Sequence, residues 1–283
     1  MNTRKFGIID IGSNTIRAVM YKDNRPCGDK AVASHILHFT NDGILSEEGA
    51  ADLISSLLQL KEYLGDVPIY AFATSAMRDV ENFCDVNKTV SDKTGIEIEL
   101  ISGETEAEYD YMAIRSVCAD KCGIAVDLGG GSAQVIAFDE NGVTESESFA
   151  IGVKRMRNAF CKGVIPENAE ILNIDAHIEK ELSAIHAKSG IIWFMGGTAK
   201  AAEIAAKKLF SVSAITPEAL ENIFSEICKS PELGKKLFGK RYETMPVGLK
   251  VMKKICEALG GKEIEVCEVG VRDGYAEKIT KEK

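Results

Sequence analysis

Two segments of the sequence collect the residue types that hold phosphate and metal. The first is Asp10-Ile11-Gly12-Ser13-Asn14-Thr15, which closes the apolar run Phe6–Ile9 and precedes the second apolar run Ile16–Met20. Glycine permits a tight reversal and a close backbone approach. Ser13, Asn14 and Thr15 add side-chain donors to the N–H groups of the turn, a set that suits phosphate oxygens. Asp10, at the strand end, could hold Mg²⁺ directly or through water. The bland alternative is a β-hairpin whose Asp and Asn only shape the turn. The second segment, Asp127-Leu128-Gly129-Gly130-Gly131-Ser132, shifts the balance toward chemistry. Three consecutive glycines cost backbone entropy, so a fold that keeps them usually needs the bare backbone there. No Gly-Lys-Ser/Thr follows, so it is not a Walker A loop. A strand pattern rather than a helix pattern comes next, so it is not a dinucleotide fingerprint either.

The elements that must position these turns repeat. Gly123–Phe138 has the plan of Phe6–Met20: an apolar strand, an Asp, a Gly/Ser turn and a second apolar strand. Asp10 and Asp127 lie 127 − 10 = 117 residues apart, about the size of a small domain. Two lobes of related plan follow, each offering one turn, and the pair can face each other across a cleft to clamp one phosphate and one metal. Between the turns, Ser46 predicts a capped helix over Glu47–Leu64 with an apolar stripe of Leu53, Ile54, Leu57, Leu58 and Leu64. Pro68–Ala73 reads as a buried strand with a helix opening after Thr74, Ile96–Ile101 as another strand, and Glu104–Val117 as a further helix. Ile191–Met195 reads as a strand that stops at Gly196-Gly197-Thr198 and runs into the helix Ala199–Phe210. Strands alternating with helices predict an α/β protein with mixed sheets.

Composition excludes several classes. The chain has 283 residues, 45% hydrophobic and 27% charged, ordinary for a globular protein. Its longest apolar run, Ile191–Met195, is far short of a membrane span. Met1-Asn2-Thr3-Arg4-Lys5 does not read as a signal peptide, so a cytoplasmic location is expected. A net charge of −9 argues against nucleic acid as a partner, though a local positive field in a cleft still allows an anionic substrate. Eight cysteines without a C-x-x-C, and four histidines, predict reduced thiols rather than zinc or a disulfide framework.

Taken in order, DIGSNTIR, ATSAMRD, ISGETEAEY, DLGGGS, FMGGTAKA, MPVGL and GVRDG resemble the exopolyphosphatase/guanosine-pentaphosphatase (Ppx/GppA) family, from Phe6 to about Tyr275. The resemblance implies a two-lobed, actin-like ATPase fold, each lobe a mixed sheet flanked by helices, with the active site in the cleft between lobes. It places the lobes at 1–116 and 117–283, leaving open whether the last helix, about 272–283, packs back on the first. It also implies hydrolysis of the terminal phosphate of inorganic polyphosphate, or of the 5′ end of guanosine pentaphosphate, with Mg²⁺ (Mn²⁺ as the alternative). A homodimer is an option in the family.

Residue by residue, the resemblance assigns Glu106 as the catalytic glutamate and Asp10 and Asp127 as the metal-side aspartates. Phosphoryl transfer needs an oriented nucleophile and neutralised charge, and a glutamate near a helix start can orient water as base. Glu104 and Glu108 are alternatives within one turn, and acids at a helix start also serve the dipole alone. Arg78 matches a phosphate-contacting arginine, whose fork suits bidentate binding; the alternative is a surface pair with Asp79 or Glu81. Arg17 is a second candidate contact or a strand salt bridge. Arg155, in Gly152-Val153-Lys154-Arg155, matches a further family arginine. Ser13, Asn14, Thr15, Gly129, Gly130, Gly131 and Ser132 form the phosphate turns. Gly196 and Gly197 match the motif that faces base and sugar in sugar kinases, where a helix N-terminus could equally hold a phosphate further along a polymer.

The sequence departs from the family in two places. His35–Gly43 lacks the arginine of the loop, roughly R-L-G-x-G, that many members carry there. The chain also ends soon after GVRDG, so the helical C-terminal domains of longer members, and the processivity they support, are not expected. Lys235, Lys236, Lys240, Arg241, Lys250, Lys253 and Lys254 form a basic run that reads as solvated helix faces or as a track for a polyphosphate tail. Other classes remain in view: a kinase of the same fold, and a non-catalytic sensor of polyphosphate or alarmone.

Overall fold

The computed structural model describes residues 5–23, 25–118, 122–212 and 214–281. The signal-peptide reading of residues 1–4 and the last two residues of the expected C-terminal helix fall outside them.

The chain forms two compact units, residues 1–106 with 272–283, and residues 107–271. The division falls inside a helix, ten residues before the boundary expected at 116, because the apolar face of that helix packs into the second unit.

In chain order the first unit carries β1 (Lys5–Ile11), β2 (Thr15–Lys22), β3 (Arg25–Ala33), α1 (Ile36–Phe39), β4 (Thr40–Asn41), β5 (Ile44–Leu45), α2 (Glu47–Leu64), β6 (Ile69–Ala73), α3 (Ser75–Arg78), α4 (Phe83–Thr94), β7 (Ile98–Leu100) and the start of α5 (Gly103–Arg115). The second carries β8 (Gly123–Leu128), β9 (Ala133–Asp139), β10 (Gly142–Phe149), α6 (Val153–Phe160), α7 (Asn168–Leu182), β11 (Ile191–Met195), α8 (Gly197–Phe210), α9 (Pro217–Lys229), α10 (Pro231–Phe238), α11 (Met245–Ala258) and β12 (Glu263–Val266). The last helix, α12 (Val271–Lys281), has all but its first residue in the first unit.

The duplication extends to topology. The sheets are ordered β3-β2-β1-β6-β7 and β10-β9-β8-β11-β12. In each, the Asp-bearing strand pairs antiparallel with its hairpin partner and parallel with the strand on its other side. The two turns close alike: Gly12 N–H donates to the Thr15 carbonyl at 3.1 Å, and Gly129 N–H to the Ser132 carbonyl at 3.0 Å.

Strand alternation sorts the faces. In β1, Ile9 and Ile11 enter the core made with Leu53, Leu57, Leu60 and Leu64 of α2 and Val86 and Val90 of α4. Ser46 caps α2 as expected, its Oγ accepting from Gly49 N–H at 3.1 Å. In β8, Ile124, Val126 and Leu128 join the large core under α7, α8, α9 and α11. Ala125 faces a separate cluster with Ala107 and Ile114 of α5 and with Trp193.

The expected helices and strands appear with ends shifted by at most two residues, and Glu47–Leu64 and Ile191–Met195 match at both ends. After Thr74, however, the helix lasts one turn, and the chain breaks at Asp79–Asn82 before α4. The His35–Gly43 stretch holds a helical turn and leads into a hairpin with Ile44–Leu45 that Asn82 clamps. The Asn82 side chain accepts from Leu45 N–H and donates to the Leu45 carbonyl, each at 3.0 Å. Among the described residues no helix is long and apolar enough to cross a membrane. All eight cysteines are free thiols.

Candidate functional site

Ser102 starts α5 by accepting from Thr105 N–H at 3.1 Å, and Glu106 N–H bonds the Ser102 carbonyl at 2.9 Å. The packing of that helix then decides which of the three acids turns inward. Glu104 and Glu108 are exposed, whereas Glu106 is 5% exposed. A carboxylate in that environment needs a partner, and Arg78 is one: its Nη1 donates to Glu106 Oε2 at 2.8 Å and to the Ile101 carbonyl at 3.1 Å. Arg78 ends α3, whose N–H rests on the Thr74 carbonyl at 3.3 Å. The two family-matched residues therefore form one ion pair.

The first phosphate turn lies beside the start of the same short helix. Ser13, 4% exposed, shares a hydrogen bond with Ser75 through their hydroxyls at 3.2 Å. Thr74 N–H reaches the Ile11 carbonyl at 3.3 Å. Thr74 and Ser75 were not singled out in the sequence, although they stand in the ATSAMRD motif. Asn14 and Thr15 complete the turn, and the Asn14 carbonyl accepts from Ser34 N–H at 3.1 Å. Arg17, one strand position beyond Ile16, reaches sideways to Asp29 on β3 at 2.5 Å, so a phosphate there would compete with that pair.

Asp10 is also engaged. Arg272 at the start of α12 donates from Nη1 to Asp10 Oδ2 at 2.6 Å. This contact spans 262 residues, and no local pattern announces it.

In the second unit α6 braces the glycine turn. Val153 N–H bonds the Gly129 carbonyl at 3.0 Å, Lys154 and Arg155 N–H bond the Gly130 carbonyl at 2.8 and 3.0 Å, and Arg155 Nε donates to the Gly131 carbonyl at 2.9 Å. The helix can come this close only because residue 152 is glycine: a Cβ there would lie 2.4 Å from the backbone of Gly131 and Ser132. Arg155 thus holds the turn in shape through Nε. Lys154 sits beside Arg157; burial, then the Arg157 charge, pulls its ammonium below the ordinary lysine range.

Gly196, at φ +93°, ends β11 in a conformation that disfavours side chains, and a Cβ there would lie 2.9 Å from Asp127 Oδ1. Its bare backbone keeps a side chain off that carboxylate. Next to it, the guanidinium of Arg241 fills the place where a Gly197 side chain would be, 2.5–2.7 Å from the Cβ position. Arg241 is the member of the basic run that reaches a predicted site residue. Four of the others pair with acids: Lys235 with Glu232, Lys250 with Glu221, Lys253 with Glu257 and Lys254 with Glu179. That favours ordinary helix-face pairing over a polyphosphate track.

Among the described residues no three His, Cys, Asp or Glu side chains gather as a metal cage. At Asp127 the bare Gly196 keeps a side chain off one carboxylate oxygen. Asp10 has one carboxylate oxygen taken by a guanidinium, which does not fit direct ligation.

Several known proteins resemble this chain. Exopolyphosphatase 1 of Mycobacterium tuberculosis is 26% identical over 226 residues, covering 76% of this chain and 64% of the relative. The bifunctional 3-dehydroquinate synthase/phosphatase of Fusobacterium nucleatum is 32% identical over 170 residues, covering 54% of this chain and 26% of that protein. The chain thus spans less than two thirds of the length of these relatives. Among solved structures, an exopolyphosphatase from Cytophaga hutchinsonii superposes with a TM-score of 0.87 at 18% identity, over 99% of this chain and 98% of that one. The Ppx/GppA enzyme of Aquifex aeolicus superposes with a TM-score of 0.78 at 23% identity, over 96% of this chain and 98% of that one. These likenesses show the actin-like α/β fold. Residues 35–282 match the Ppx/GppA phosphatase family, and the chain belongs to it.

Proposed function

We propose that the chain is an exopolyphosphatase, releasing orthophosphate from the end of inorganic polyphosphate by in-line attack of water. The observation that carries this reading is the buried Glu106 carboxylate, selected over its two exposed neighbours and held by Arg78. Oriented by that pair, Glu106 accepts the proton of the attacking water, and Arg78 opposes the charge that develops on the transferred phosphoryl group. Each glycine turn, Gly12–Thr15 in the first unit and Gly129–Ser132 in the second, offers N–H and hydroxyl donors of the kind that phosphate oxygens accept, and Arg155 keeps the second turn in shape. Asp127 is the residue suited to hold Mg²⁺, or Mn²⁺; such an ion supplies Lewis-acid neutralisation of phosphate charge.

The test is phosphate release with Mg²⁺ from medium-chain polyphosphate and guanosine pentaphosphate, side by side. A tenfold or greater advantage in kcat/KM for polyphosphate, about 1.4 kcal/mol of transition-state preference, is the expected result. An advantage for guanosine pentaphosphate keeps the mechanism and moves the substrate. Transfer to an acceptor, or binding without turnover of either compound, overturns the hydrolase reading in favour of a kinase or a sensor.

A further inference from the structure

The alternation that sends Ile9 and Ile11 into the α2/α4 core sends Phe6, Ile8 and Asp10 to the other face of the first sheet. α12 covers that face. Tyr275 lays its ring against Phe72, with centroids 4.8 Å apart, and donates from Oη to Glu99 Oε2 at 2.7 Å. One turn earlier, Arg272 meets Asp10 at 2.6 Å, and Tyr21 Oη reaches both the Arg272 carbonyl and Asp273 Oδ1 at 3.4 Å. Asp10 is 13% exposed in its side chain and Arg272 31%, so the pair is partly screened from water. Burial opposes the Arg272 charge, but the Asp10 carboxylate outweighs it and holds the guanidinium above the ordinary arginine range.

We infer that Arg272 is the resident cation of Asp10, and that Asp10 is a positioning residue rather than a metal ligand in this chain. A divalent ion on Asp10 would have to displace the guanidinium or sit against its charge in a partly dry site. Displacement would also strand a half-buried arginine without its partner, which costs more than the ion pair is worth. The pair fixes the end of β1, and with it the Gly12–Thr15 turn two residues on. This deepens the proposed function by saying which aspartate a metal does not use, but the pairing does not depend on turnover.

The experiment titrates Mn²⁺ onto the full chain without substrate, following free Mn²⁺ by electron paramagnetic resonance, in the unaltered protein and in Asp10→Asn, Arg272→Gln and the double variant. Asp10→Asn is expected to keep Mn²⁺ affinity within threefold. Arg272→Gln, which bares the carboxylate, is expected to tighten it threefold or more, and the double variant to lose that gain. A larger than threefold loss in Asp10→Asn, or no gain in Arg272→Gln, overturns the inference. If one single variant fails to fold, the other decides. The double variant, with both charges removed, should melt above either single variant, and a lower melting point overturns the pairing. Phosphate release by the unaltered chain, run alongside, reports on the hydrolase reading separately.

Discussion

Replacing Glu106 with Gln separates catalysis from stability. The side chain keeps its shape and can still accept from Arg78 Nη1, which also retains the Ile101 carbonyl. The ion pair becomes a hydrogen bond from the guanidinium to a neutral amide oxygen, so the stability loss should be about 1 kcal/mol. Glu106→Ala goes further, removing the partner of an arginine whose side chain is 21% exposed. Loss of one member of a buried pair costs about 3–5 kcal/mol; partial exposure and the Ile101 contact bring the expectation here to the lower end or below. Catalysis responds differently. Gln cannot take the proton of the attacking water, and loss of a general base costs about 10²–10⁴ in rate, or about 3–5 kcal/mol of barrier. Denaturant melts paired with phosphate-release kinetics on polyphosphate should therefore show Glu106→Gln nearly as stable as its parent but at least a hundredfold slower, with KM changed little. A variant less than tenfold slower refutes Glu106 as the base. Equal losses of about 3 kcal/mol in barrier and stability would mean that the Arg78 pair is structural.

Gly152→Ala puts a methyl 2.4 Å from the backbone of the glycine turn; overpacking of that kind costs about 1–3 kcal/mol or more, read as a lower melting temperature together with weakened phosphate binding. Lys154 carries its charge at a cost in the folded state, because burial and Arg157 lower its pKa; that cost is present below the folded pKa and relieved as pH rises through it. Lys154→Met should therefore raise the melting temperature at neutral pH, and polyphosphate should stabilise the parent more than the variant. Glu170 accepts from Glu167 N–H at 2.9 Å and Lys162 N–H at 3.0 Å, and these bonds hold its carboxyl below the ordinary glutamate range. Its contribution is present above the unfolded pKa and lost as pH falls through the folded one. The stability gap between parent and Glu170→Gln should then shrink as pH falls through and below the ordinary glutamate range, and a constant gap would refute the assignment.

The sequence alone determined what is local. Each turn is written in adjacent residues, so the paired Asp-Gly-Ser segments, their duplication and the mixed α/β plan could be read before any coordinates. The cap at Ser46 and the stripe of α2 follow from spacing of three and four residues. The motif series also named the family. The tertiary structure decided what depends on burial and on distant partners. Three glutamates stood within one turn of α5, and only the packing of that helix left Glu106 inside and its neighbours in water. Arg17 could have been a ligand or a strand pair, and the register of β2 against β3 brings Asp29 to it. The basic run could have been solvated helix faces or a polymer track, and α7 and α9 bring acids against Lys254 and Lys250 of α11. Asp10 and Arg272 meet across 262 residues of sequence, because strand alternation turns Asp10 toward the face that the last helix covers. Such a pairing has no period and no spacing in one chain's sequence. It exists only after the sheet has formed and α12 has docked on it.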